Sequence, residues 1–220
     1  MPGLPKHQFS EPRVGALWGE WLHALTCEPD AALAAAEVYS RMTDGERDTW
    51  LSELEQDVSS FAVPAVAVFA PLLAVEVNGS RRVRIQEMMK THPAYVPVQA
   101  EPLRALIGQV RGHRCAVLIA PVYLEFVQVL VCTFEPGVQF VNVAHDPIVR
   151  RAEAPVAGFC RNAELCKVAG LGVDGLWLDE TPVASVVDEL AATIVAHQRS
   201  GYALPEALRS YSDWFSLRCD

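Results

Sequence analysis

Apolar and polar positions follow two different periods along this chain, and the change between them falls near residue 65. Before it the spacing is helical. VGALWGEWLHAL (14–25) puts Leu17, Trp18, Trp21, Leu22 and Leu25 on one wide apolar face, weakened by Gly15 and Gly19. DAALAAAEVYSRM follows Pro29 and is rich in strong helix formers. Thr43 and Glu46 stand at capping-box spacing. Trp50, Leu51, Leu54, Val58 and Phe61 then mark a buried side, leaving Asp48, Glu53, Glu55 and Asp57 for solvent.

Past residue 65 the period shortens. LLAVEV-NGS-RRVRI predicts a hairpin with Leu73 opposite Ile85, Val75 opposite Val83 and Glu76 opposite Arg82, because Asn-Gly tolerates positive φ. AEPLRALIGQVRG (100–112) predicts a short helix with Pro102 in its first turn and Gly112 as its stop. CAVLIAPVYLEF and VQVLVCTF carry the strongest strand signal, with Pro121 separating or bulging them. Glu135-Pro136-Gly137-Val138 suits a type II turn, and QFVNVAHDP (139–147) returns antiparallel. That register sets Cys132 opposite Val141, Leu130 opposite Val143 and Gln128 opposite His145, with the ladder broken at Asp146 and Pro147. Both faces are mainly apolar, so the hairpin is expected near the centre of a covered sheet.

Residues 150–181 read as a glycine-rich surface excursion. Pro182 then opens a helix with Val183, Val186, Val187, Leu190, Ile194 and Val195 inward. GYALPEALRSYSDWF starts another, with Leu204, Leu208, Tyr211 and Phe215 at helical spacing. The expected fold class is α+β, a mostly antiparallel sheet flanked by N-terminal and C-terminal helices. It occupies 1–220 as one domain, with a helical N-terminal subdomain over 14–62 as the alternative division.

Composition narrows the class. An apolar content of 51% over 220 residues is enough for an ordered core. FAVPAVAVFAPLLAV (61–75) is too short for an ordinary membrane helix and holds Pro64 and Pro71, so it reads as buried structure. The start, MPGLPKHQFSEPR, lacks an apolar signal core, and the expected location is cytoplasmic, with no membrane partner. Six dispersed cysteines without a CxxC pair suit reduced buried thiols better than disulfides or metal.

The net charge of −9 disfavours nucleic acid as a partner. Its distribution is uneven. Residues 1–60 hold 11 acids against 4 Lys/Arg, whereas 81–114 hold 7 basic groups against 2 acidic ones. Arg81, Arg82, Arg84 and Lys90 therefore form the best candidate patch for a small anionic ligand or a partner protein, while the chain's own acidic helices can satisfy the same charges. No aromatic residues interleave with this cluster as an RNA module would require.

No phosphate loop, nucleophile elbow, zinc-protease or dinucleotide motif occurs, and GLGVDG (170–175) lacks the third glycine of a dinucleotide loop. No cofactor is expected. The enzyme alternative is a hydrolase or transferase acting on an anionic substrate through His145, Asp146 and Cys115. A direct Cys132–His145 dyad fails in the expected register, and a metal site would need His113 and Cys115 to meet His145 or His92. Cys160 and Cys166 stand beside Arg161 and Lys167, which would lower thiol pKa values if exposed. With no convergent catalytic set, the leading expectation is a protein–protein interaction, regulatory or adaptor protein. A structural subunit of a homo-oligomer is a further alternative.

Overall fold

The computed structural model describes residues 12–57, 63–90, 102–161, 175–209 and 211. The chain is α+β, with seven helices and a six-stranded antiparallel sheet among the described residues. It divides into two compact units, Met1–Val96 and Pro97–Asp220. Val58, Phe61, His92, Cys166, Lys167, Phe215, the side chains of Leu17, Trp18 and Asp57, and all of GLGVDG but its last glycine lie outside the described residues.

The first unit holds α1 (Pro12–Cys27), α2 (Pro29–Arg41), α3 (Asp44–Asp57), α4 (Ala65–Val75) and α5 (Gly79–Lys90). The capping box forms as expected: Glu46 Oε2 accepts the Thr43 N–H at 2.8 Å, and the Glu46 N–H donates to Thr43 Oγ at 3.4 Å. Leu51 and Leu54 are buried on α3. Helix α4 is apolar all round and almost wholly buried, as a central helix must be. It packs on α2, whose buried Ala32, Ala35 and Ala36 allow close approach.

The hairpin expected over 72–85 is instead the junction of α4 and α5. RRVRI fits both periods, and helical burial of Arg81, Ile85 and Met88 at i, i+4 and i+7 prevails. Asn78 serves as a cap, its Oδ1 accepting the Arg81 N–H at 3.1 Å.

The second unit contains β1 (Arg104–Val110), β2 (His113–Tyr123), β3 (Phe126–Glu135), β4 (Gln139–Arg150), β5 (Gly158–Arg161) and β6 (Gly175–Thr181), followed by α6 (Val183–Arg199) and α7 (Glu206–Arg209). The strand order is β4-β3-β2-β1-β6-β5. The helix expected over 100–112 is a strand, and Gly112 serves a hairpin rather than a helix stop. Arg111 and Gly112 both have positive φ, at 52° and 84°, as a two-residue type I′ turn demands. Pro121 marks a register shift in the β2–β3 pair.

The Glu135–Val138 turn forms with Gly137 at φ 69° and the Val138 N–H on the Glu135 carbonyl at 3.0 Å. The pairing beyond it differs from the expected register by two residues. One comes from the turn, where Glu135 faces Gln139, and one from Val141, an extra residue between the paired Phe140 and Asn142. Cys132 therefore faces Val143, and His145 faces Leu130. Strand β4 is an edge and runs through Pro147 to Arg150, with a second bulge beside the proline. An edge strand tolerates a missing N–H that a central strand could not spare. The excursion expected over 150–181 contains β5 and β6.

One face of the sheet gathers Leu106, Val117, Val129, Val131, Cys160, Leu176 and Leu178. The other packs Ile107, Leu118, Leu130 and Phe140 against Val186, Val187 and Leu190 of α6 and against Leu208 and Tyr211. Val195, expected inward, is 39% exposed. Two polar residues one turn apart tie α6 to the β3–β4 hairpin. Thr193 Oγ accepts the Gly137 N–H at 3.2 Å, and His197 Nδ1 accepts the Phe140 N–H at 3.3 Å. The helix starts directly after β6 and ends beside β4, so it crosses the sheet toward that edge. The β6–β5 end contributes no residue to the core under α6.

Candidate functional site

Two features compete for the role of functional surface: the arginine cluster of the first unit and an aromatic pair in the second. The arginines surround Glu76, which is fully buried at the end of α4. Glu76 Oε2 accepts the Tyr39 hydroxyl at 2.7 Å and Arg81 Nε at 2.8 Å, while Oε1 accepts the Val77 and Asn78 N–H groups at 2.8 and 2.7 Å. Arg47 stands 3.5 Å from the same oxygen. Burial alone would raise this carboxyl's pKa. The Arg81, Asn78 and Tyr39 hydrogen bonds outweigh burial and hold it below the ordinary value. Tyr39 moves the opposite way, raised by burial and by the carboxylate it serves.

Arg81 is itself 8% exposed and spreads its fork over three carboxylates: Glu76, Asp44 at 2.5 Å and Asp48 at 3.3 Å. Arg82 donates to the Leu73 and Glu76 carbonyls at 3.1 and 2.9 Å, closing the C-terminus of α4. Arg84 reaches Glu55 at 2.6 Å and Ser52 at 3.1 Å, and Lys90 pairs with Glu87 at 2.8 Å. Each of the four candidate ligand residues thus has an acidic or carbonyl partner on its own unit, and Arg81 and Arg82 act as internal braces. Asp48 and Glu55 are exposed, as expected, and from the surface they also meet Arg81 and Arg84.

The candidate catalytic residues do not converge. Cys115 faces Thr133, whereas His145 faces Leu130, so they stand two strands and three residues apart, about 14 Å at ordinary sheet spacing. They also occupy opposite faces. Cys115 packs with Val117 and Val131, while the His145 ring meets Tyr211 edge-on with centroids 4.8 Å apart. Burial pushes the Cys115 thiol up to about 11, which leaves it protonated and weakly nucleophilic at neutral pH. Burial likewise raises Cys132. Asp146 is buried beside His145 in sequence, with its Oδ1 accepting the Ile148 N–H at 3.4 Å. His113 stands 3.4 Å from Glu135 at the end of β2. Among the described residues, no group of three or more His, Cys, Asp or Glu side chains could hold a metal ion. No described helix is long and apolar enough to cross a membrane.

The aromatic pair lies on β5 and β6, strands that sequence reading missed. Alternation along β6 buries Leu176 and Leu178 and sends Trp177 and Asp179 outward. On β5 it buries Cys160 and sends Phe159 and Arg161 outward. Phe159 and Trp177 are direct cross-strand partners, exposed to 62% and 63%. Phe159 leans over Gly175, where an added Cβ would meet its ring at 2.7 Å. The Trp177 indole N–H donates to Asp179 Oδ1 at 3.0 Å, which fixes the ring on the strand. A half-buried strand normally puts polar residues on its solvent side. Here two large aromatic residues occupy it. The available signal was LWLDE, whose alternating Leu176 and Leu178 place Trp177 on the polar side.

No family model, no curated protein and no solved structure significantly matches this chain.

Proposed function

We propose that this chain is a protein-interaction module of the regulatory or adaptor kind, and that it binds its partner through the β5–β6 face. The observation carrying this reading is the cross-strand pair Phe159–Trp177, more than half exposed on strands whose other face is buried. Aromatic side chains with few rotatable bonds dominate binding energy at protein interfaces, and Trp177 is already held in place by Asp179. The buried thiols of Cys115 and Cys132, which form no disulfide, suit a reducing, cytoplasmic setting. The separation of Cys115 from His145 favours this reading over an enzyme that would use the two together.

A photo-reactive phenylalanine analogue placed at Phe159 in the full chain, irradiated in an extract of the producing cells, tests this reading. A discrete protein adduct is expected from position 159, absent when Trp177→Ser is added, and absent from the equally accessible Val83 on α5. An adduct with a second copy of the chain identifies self-association as the form of the interaction. No adduct at 159, or the same adduct from Val83, overturns the proposal.

A further inference from the structure

We infer that the Phe159–Trp177 surface receives a cationic side chain, arginine or lysine, from a basic segment of a partner protein; this rests on the interaction reading and names the partner's chemistry. Charges around β6 are unevenly matched. The stretch LWLDETPVASVVDE (176–189) contains Asp179, Glu180, Asp188 and Glu189 and no Lys or Arg. Glu180 is met by Arg104 at 3.1 Å, and Glu189 by Arg114 at 3.0 Å. Among the described residues, no cation pairs with the Asp179 carboxylate, which accepts the Trp177 indole N–H through Oδ1 and makes no other side-chain bond or ion pair.

That arrangement combines two attractions for one cation. The face of an exposed indole draws a guanidinium or ammonium through its quadrupole, most strongly of the aromatic rings. The free oxygen of Asp179 stands at the edge of the same ring, where a cation lying over the indole would meet it. The aliphatic stem of arginine or lysine would then cover Phe159 and the rest of Trp177, as such stems commonly do on apolar surface. Arg161 is on the same outward side of β5 at the opposite end, across from Gly175 and away from Asp179. A nucleic acid would bring phosphates to this carboxylate, and the chain's net charge of −9 opposes that approach.

The full chain labelled with 5-fluorotryptophan carries five reporter positions, and the Trp177 resonance is assigned by its loss in Trp177→Phe. The probes are acetyl-Leu-Arg-Leu-Arg-Leu-amide, the same peptide with Gln or Glu in place of Arg, and cellohexaose as a neutral sugar. The Arg peptide is expected to move the Trp177 resonance with a dissociation constant roughly tenfold lower than the Gln peptide, and the Glu peptide to leave it unmoved. Asp179→Asn should weaken the Arg peptide about fivefold while leaving the other fluorotryptophan resonances in place, which verifies the fold. Equal response to Arg and Gln peptides, response to cellohexaose alone, or no response up to about 10 mM overturns the cation inference. In any of those cases a Trp177-dependent crosslink from position 159 keeps the interaction reading standing, so the two failures are distinguishable.

Discussion

Arg81 and Trp177 make opposite use of their surroundings. Arg81 belongs to a run of basic residues that looks in sequence like a binding patch, yet it is buried among three carboxylates of its own unit. Trp177 looks in sequence like one apolar residue in a glycine-rich stretch, yet more than half of it is exposed and Asp179 fixes its orientation. The contrast teaches that a charge cluster becomes a ligand site only if the fold leaves its charges unmatched. Buried guanidinium groups are structural because removing their partners is costly. Exposed apolar side chains on an ordered strand stabilise the fold little and are available for binding.

Variants of the two regions should therefore split stability from binding. Glu76→Ala removes the acceptor of Arg81, Tyr39 and two backbone N–H groups, and should destabilise the first unit by about 3–5 kcal/mol in urea unfolding. An effect within about 0.5 kcal/mol would place this cluster with ordinary surface charges and erase the contrast. The same carboxyl gives a pH test. Its folded pKa is lowered from the ordinary 4.5, so its contribution is complete above that value and is lost as pH falls through the folded pKa. The stability gap between the wild type and Glu76→Gln should narrow on acidification below about 4.5; a gap that is constant or widens contradicts the assignment.

Gly108 connects the second region to the sheet. A Cβ there would collide with the backbone carbonyl of Trp177 and with Leu176, so β1 and β6 meet as closely as they do only because this position is glycine. Gly108→Ala should cost roughly 1–3 kcal/mol and, by displacing β6, move the Trp177 fluorine resonance as well. Loss of stability with the resonance unmoved would detach the aromatic pair from the geometry of the β1–β6 pairing.

Much of the architecture was legible because it rests on local chemistry. The Thr43–Glu46 capping box, the turn at Pro136–Gly137 and the inward Val186, Val187 and Leu190 each need only a few neighbouring residues to be right. The misread segments are those where short patterns fit two periods. RRVRI alternates well enough for a strand, but Glu76 and Asn78 settle it as a helix by satisfying the first turn of α5 and bracing Arg81. RALIGQV reads as a helix when Gly112 is taken as its stop, whereas Arg111 and Gly112 together adopt a hairpin turn. The candidate surface was hidden for a different reason. Strand β5 has only four residues, and the exposure of Phe159 and Trp177 depends on α6 lying toward β4, where Thr193 and His197 tie it, which no local pattern announces.

The smallest expected effect is also the most direct test of the central claim, that the aromatic pair is kept for a partner rather than for the fold. Urea unfolding of the full chain carrying Phe159→Thr and Trp177→Thr keeps strand-compatible residues at both positions while removing both rings. The account predicts a free energy of unfolding within about 1 kcal/mol of the wild type, the small loss reflecting the Phe159 ring over Gly175. A loss of about 3 kcal/mol or more, the range for truncating a buried aromatic, would make the pair part of the core and contradict the account.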